Sequence, residues 1–256
     1  MRYFLHLAYQ GTGYSGWQRQ STATSIQAVI EDSISKVMKR KTIIHGCGRT
    51  DSGVHASQYF AHVNLPGKFD FDFLDRINLV LPPDIAMYDL IPVDEKNHAQ
   101  YDVKYRTYTY FFNLEKIPSK AHSSAYYKVD AFNTNLVHEA LQIIAETSDF
   151  RSLCKQPDNY KHTRCEIENV NLEELDAYSY KLEIKADRFL RGMIRYIAAR
   201  LIDIGTGRLD LDLFASTLSN CLEFDFRFQK QGFPQGLYLS KVEYPYLVRD
   251  SRMVNF

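Results

Sequence analysis

The order of apolar and polar positions divides the chain into short strand-like stretches and longer helix-like ones. "YFLHLAYQ" (residues 3–10) sends successive side chains to opposite faces, the period of a β-strand. A Gly-rich loop, "GTGYSGWQRQ" (11–20), follows and holds the only tryptophan, Trp17. "SIQAVIEDSISKVMKR" then sets Ile26, Val29, Ile30, Ile34, Val37 and Met38 at helical spacing, with Ser25 placed to cap the helix. Lys36, Lys39, Arg40 and Lys41 close that helix, where cations suit the dipole, and read as a solvated end. "TIIHGC" (42–47) and "QYFAHVNL" (58–65) read as strands, so residues 48–57 connect them on the surface. "LPPDIAMYDLIPV" (81–93) is a turn, a strand and an exit, and "YRTYTYFFN" (105–113) is β by its aromatic and threonine content.

A helix is expected over 135–146, with Leu136, Val137, Ala140, Leu141 and Ile144 on one face. "SYKLEIKA" (179–186) reads as a strand, and "RFLRGMIRYIAARLIDIG" (188–205) as a helix ending at Gly205. A short helix over 211–218 and a last strand, "GLYLSKVEY" (236–244), complete the pattern. Several strands follow one another without room for a crossover helix. This predicts an α+β fold, a mixed, mainly antiparallel sheet with flanking helices, rather than a doubly wound one. A division is expected near residue 104, into halves 1–104 and 105–256.

Composition narrows the class. With 45% hydrophobic and 24% charged residues the chain is ordinary for a soluble globular protein. No apolar run reaches the roughly 18 residues of a spanning helix, and "MRYFLHLAYQ" reads as a strand, not a signal peptide. The four cysteines show no C-x-x-C spacing, which argues against a zinc site or a disulfide framework and for a reducing cytoplasm. Lys+Arg and Asp+Glu are both 31, so the net charge is zero. That counts against a general nucleic-acid binder but allows a local basic cleft.

The chemistry concentrates in "GCGRTDSGVHA" (46–56). Asp51 before Ser-Gly is a common turn signal, because its carboxylate can bond backbone N–H groups. The glycines match neither a phosphate loop nor a dinucleotide fingerprint. A glycosidase would need a second carboxylate, for which the pattern offers no obvious partner. His55 reads as a structural hydrogen-bonder rather than a general base. On the expected helix over 188–205, Arg188, Arg191 and Arg195 fall at i, i+3 and i+7 and line one face. Such a stripe is usually solvated. It could equally keep a carboxylate ionised in a water-poor cleft, since burial raises a carboxyl pKa and a nearby arginine lowers it. Spacing alone leaves both readings open.

The segments together resemble the tRNA pseudouridine synthase A family. "GRTDSGVHA" (48–56) is similar to the family signature. "GTGYSGWQRQ", "HAQYDVKYRTYTYFFN", "DRFLRGMIRYIAARLIDIG" and "GLYL" follow the family order over essentially the whole chain. The resemblance implies two ferredoxin-like halves around a central cleft and an isomerase that turns uridine into pseudouridine at positions 38, 39 and 40 of the tRNA anticodon arm. It implies a cytoplasmic homodimer with no cofactor and no metal. Asp51 stands where the family has its catalytic aspartate, which attacks ribose C1′ or uracil C6. Tyr108 stands at the substrate-stacking tyrosine, and Arg195, in "MIR", at the arginine that pairs with the aspartate. Arg49 would hold the flipped nucleotide; Arg188 and Arg191 are candidates for RNA-backbone contacts. The chain departs from the family pattern at Ser52, often Ala, and in "HAQYDV", more usually "HARFSA". Two other readings are a pseudouridine synthase acting on other tRNA or RNA positions and a tRNA-binding or folding protein.

Overall fold

The computed structural model describes residues 1–249. Its elements run β1 (Arg2–Tyr9), α1 (Ile26–Met38), β2 (His45–Gly46), β3 (His55–Asn64), α2 (Phe73–Val80), β4 (Ile85–Val93) and β5 (Tyr105–Asn113). They continue through β6 (Ala125–Tyr126), α3 (Thr134–Glu146), β7 (Ile167–Glu174), β8 (Ser179–Ala186), α4 (Met193–Gly205), α5 (Leu211–Ser219) and β9 (Leu237–Glu243). Helices with mixed, mainly antiparallel strands make this the α+β class that the strand spacing predicts. The chain forms two compact units: Met1–Arg106 together with the chain from Tyr238 on, and Thr107–Leu237. Dividing the chain at 104 leaves the last strand with the second half, whereas from Tyr238 onward it groups with the first unit.

In the first unit the strand order is β4-β1-β3-β9, with β2 on β3. β1 is antiparallel to both neighbours, Leu5 facing Ala61 on one side and Leu90 on the other. Phe4, Leu5, His6 and Leu7 are all buried, so this strand is covered on both faces, which is why its sequence is nearly continuous in apolar residues. α1 begins where Ser25 accepts the Ala28 N–H at 3.3 Å. Its Ile26, Ile30 and Ile34 are fully buried, each contributing about 1.5–3 kcal/mol. The helix stops at Lys39, in the left-handed region at φ 51°, and the four basic residues of its end are exposed.

In the second unit β5, β8 and β7 lie in that order, with β6 on β5. β7 and β8 are antiparallel, Val170 opposite Ile184. Phe112 stacks on Tyr180 at 5.0 Å. α3 starts where the Asn133 side chain accepts the Leu136 N–H, and buries Val137, Ala140, Leu141 and Ile144.

Several segments differ from the sequence reading: β6 is not expected, β2 is shorter than 42–47, and β3 begins at His55, within the expected connection. α2 and β7 were not expected: α2 is only 8 residues long, and β7, "IENVNLEE", fully buries only Leu172. The helix expected over 188–205 starts at Met193. Gly192 sits at φ 75°, and a β-carbon there would meet the Gln231 side chain at 2.0 Å. The N–H groups before it are committed elsewhere, Arg188 to the Asp187 carboxylate at 2.7 Å and Arg191 to the Tyr160 hydroxyl at 2.9 Å. Arg188 and Arg191 therefore precede the helix and do not share a helical face with Arg195. Among the described residues no helix is long and apolar enough to cross a membrane.

Candidate active site

The loop bearing Asp51 is built by interlocking with the Gly-rich loop. Thr50 lends its carbonyl to the Trp17 N–H at 3.1 Å, and its hydroxyl bonds the Tyr9 hydroxyl at 2.9 Å. On the other side of Asp51, the Ser52 hydroxyl and the Gly53 N–H both donate to the Tyr14 carbonyl, at 3.1 and 3.2 Å. The Asp51 carbonyl itself accepts the Val54 N–H at 3.2 Å, closing a tight turn. Gly16, at φ +83°, lets the two loops meet: a β-carbon on it would lie 2.5 Å from the Thr50 carbonyl oxygen. Gly11 does the same further along, where a β-carbon would overlap the Val54 carbonyl at 2.0 Å. The backbone on both sides of Asp51 is thus fixed, while the residue itself is half-buried and Arg49 beside it is exposed.

Trp17 anchors the pair of loops. It is 2% exposed and stacks on Tyr59 at 4.0 Å, and the Tyr59 hydroxyl donates to the Gly48 carbonyl at 2.5 Å. Buried Glu31 holds the neighbourhood from the α1 side, accepting the Ile44 N–H at 3.1 Å and the Arg19 Nε at 2.6 Å. His55 is fully buried, accepts the Gly11 N–H through Nδ1 at 3.0 Å and stacks on Tyr238 at 4.5 Å. These are the contacts of a structural histidine, as the sequence reading has it.

Two features of this unit escaped the sequence reading. Arg106 Nη2 donates to the Cys47 carbonyl at 2.6 Å and the Gln100 carbonyl at 3.2 Å, tying the start of the Asp51 loop to a distant turn. His45, His62 and His98 cluster, with ring centroids 4.9 Å apart for the first pair and 4.5 Å for the second. Burial drives the His62 pKa down to about 4, so its ring is neutral near pH 7. Among the described residues no group of His, Cys, Asp and Glu is arranged to hold a metal ion. All four cysteines are free thiols, and burial pushes Cys47 up to about 11.

The second unit carries Tyr108, Arg195, Arg188 and Arg191. Tyr108 is 9% exposed on β5 and meets Phe189 edge to face at 5.0 Å. Arg195 lies in the first turn of α4. Its Nε donates to the Gly232 carbonyl at 2.7 Å, and the Gly232 N–H returns a bond to the Arg195 carbonyl at 2.7 Å. Tyr110 is a core residue whose hydroxyl bonds that of Tyr127 at 2.7 Å, with burial raising its pKa. Arg188 reaches the His162 ring at 3.3 Å. Arg191 is exposed beside Arg151 and Lys155, on a cavity of about 370 Å³.

Comparison with known proteins gives consistent matches. A family described as tRNA pseudouridine synthase matches residues 140–245. The tRNA pseudouridine synthase A of Porphyromonas gingivalis is 35% identical over 250 residues, covering 95% of this chain and 97% of its own. Those of Azobacteroides pseudotrichonymphae and Bacteroides fragilis are each 34% identical, over 95% of this chain and 97% and 96% of theirs.

Proposed function

The chain belongs to the tRNA pseudouridine synthase A family, and on that premise we propose that Asp51 is the nucleophile with which it converts uridine to pseudouridine in tRNA. In this isomerisation the bond from N1 to C1′ breaks and a bond from C5 to C1′ forms. C5 gives up one proton, N1 gains one, and nothing is oxidised or reduced. A carboxylate that bonds transiently to C1′ or to C6 splits this exchange into easier steps and is released at the end. Either route needs the carboxylate held at one position. The observation that carries the reading is the pinning of Thr50, Ser52 and Gly53 around a half-buried Asp51.

The other roles follow the family correspondence. Tyr108 offers its ring to the flipped uracil, replacing the stacking lost when the base leaves the helix. Arg195 stands at the position of the family arginine that pairs with the catalytic aspartate, and is the proposed charge partner of that carboxylate. Arg49 holds the flipped nucleotide, and Arg188 and Arg191 contact RNA phosphates. The targets are positions 38, 39 and 40 of the anticodon arm, and the enzyme works in the cytoplasm as a homodimer without cofactor or metal.

Pseudouridine mapping tests this. Purified protein and Asp51→Asn are incubated with unmodified tRNA transcripts. Pseudouridine at 38–40 with the wild type alone, while Asp51→Asn still binds tRNA, is the expected result. Product at other positions would keep the chemistry and move the target. Turnover by Asp51→Asn above background would remove Asp51 from the nucleophile's role. No product with any transcript, though tRNA binds, would favour a tRNA-binding or folding protein.

A further inference from the structure

Tyr101 is 78% exposed, yet one face of its ring has a fixed support. One face of its ring stacks on His98 at 4.2 Å, with the planes 22° apart. His98 is fixed in turn. Its Nδ1 accepts the N–H groups of Gln100 and Tyr101 at 3.1 and 3.3 Å, and Asp102 accepts the His98 N–H at 2.8 Å. Behind it, His98 meets the buried His62 edge to face at 4.5 Å. The turn is braced to the Asp51 loop as well, because Arg106 bonds the carbonyls of both Gln100 and Cys47. A tyrosine with one supported face and one open face, fixed relative to the Asp51 loop, is a preorganised stacking surface.

Beside it lies a cleft of about 280 Å³ whose lining includes Gln18, His45, Arg49, His98, Gln100 and Tyr101. No carboxylate is among its lining residues. That composition suits a ligand with a flat ring, hydrogen-bonding edges and a negative charge. Its volume is just under the roughly 300 Å³ at which sites for drug-sized ligands begin, so it fits a single base rather than a run of nucleotides. Extruding a uridine from a stem also strips its neighbour of a stacking partner, which is the loss such a surface would offset.

We infer that this cleft is a subsite for the nucleotide adjoining the target uridine, with its base stacked on the open face of Tyr101. Gln18 and Gln100 supply amide contacts to the base edge, and Arg49 meets the phosphate that joins this nucleotide to the target. The inference rests on the reading of the chain as a tRNA-uridine isomerase.

The test uses the full chain and a tRNA stem-loop whose reactive uridine has been mapped with the wild type. Base stacking on an aromatic side chain corresponds to roughly a 5- to 140-fold change in affinity. Tyr101→Ala should raise KM for tRNA by about that factor and leave kcat within about twofold, and Tyr101→Phe should restore KM. In binding experiments with Asp51→Asn, 2-aminopurine is placed immediately 5′ or 3′ of the target. Its fluorescence should be quenched at one of the two places, and the quench should vanish when Tyr101→Ala is added. Unchanged KM in Tyr101→Ala, or no quench on either side, would overturn the subsite while wild-type turnover left the isomerase reading standing. A wild type that forms no pseudouridine would remove that reading, and the subsite with it.

Discussion

Gly16 passes Thr50 so closely that a β-carbon on it would lie 2.5 Å from the Thr50 carbonyl oxygen, and its φ of +83° is one that side chains rarely adopt. Asp51 follows Thr50 directly, so whatever moves Thr50 moves the carboxylate. Gly16→Ala should cost about 1–2 kcal/mol for the left-handed backbone alone, with the overlap adding to it. The melting temperature should fall by several degrees, at about 2–4 °C per kcal/mol for a chain of this size. Turnover should fall by about tenfold or more, because misplacing a reacting group by an ångström is costly. Thermal melts and single-turnover rates check both, and an unchanged rate would mean that the Gly-rich loop does not position Asp51.

Tyr108 separates ring from hydroxyl. Tyr108→Phe keeps the aromatic face and the edge contact with Phe189, so tRNA binding and turnover should stay within a few-fold of wild type. Tyr108→Ala removes the proposed stacking surface, stacking being worth about 1–3 kcal/mol per base, and should weaken productive binding far more. Steady-state kinetics of the two variants decide it. Equal losses would assign the role to the hydroxyl.

His62 predicts an acid-side loss of stability. Burial first, then the charges of His98, Arg2 and His45, lower its pKa from 6.5 to about 4. Between those values the unfolded chain carries a proton on His62 that the folded chain does not. Stability is therefore full above about pH 6.5 and falls as pH drops toward 4, by up to roughly 3 kcal/mol. Urea denaturation at pH 7 and pH 5 should show the drop. In His62→Phe the difference between the two pH values should shrink, although the Ala99 N–H, which His62 Nδ1 accepts at 3.2 Å, loses its partner. An equal pH dependence in both proteins would show that another group titrates.

Arg200 tests the base of α4. Its side chain is 1% exposed and bonds Asp203 at 3.0 Å and the Lys230 carbonyl at 3.1 Å, with the guanidinium over Phe224 and Phe228. Arg200→Ala should destabilise by about 3 kcal/mol, from lost packing and a lost buried pair. Arg208 still reaches Asp203 at 3.1 Å, so the carboxylate keeps one partner. Arg200→Met, which retains bulk, should therefore cost clearly less than Ala. Guanidinium unfolding of both variants measures this, and equal losses would point to the charge rather than the packing.

What was legible in the sequence depended on how local its causes are. α1 could be read because its cap, Ser25, and its buried stripe, Ile26, Ile30 and Ile34, lie within ten consecutive residues of the chain. The start of α4 could not, because Gly192, the Tyr160 hydroxyl and the Asp187 carboxylate decide it together, and Tyr160 is remote in sequence. The Asp51 motif was plain as a string of residues, but its brace was not. Arg106 reaches Cys47 only after β5 is in place, and His45 meets His62 because β2 and β3 set them opposite one another. Pairing "TIIHGC" with "QYFAHVNL" as antiparallel neighbours would have exposed that histidine contact. Tyr101 stood within a quoted segment yet had no periodicity to mark it, since its distinction is to be exposed while its ring stacks on His98.

The parallel pairing of His55 with Tyr238 has a bearing on how the protein is made. A ribosome that has delivered the whole of "GRTDSGVHA" must still synthesise Thr107–Leu237 before the strand that completes the first unit emerges. Until then the free edge of β3 has no partner there, and His55, which holds Gly11, lacks the ring it stacks on. Folding in order from the N-terminus therefore stalls one strand short. The nascent chain carries Asp51 long before it can hold that residue still, and the brace is complete only once the strand bearing Tyr238 has been made.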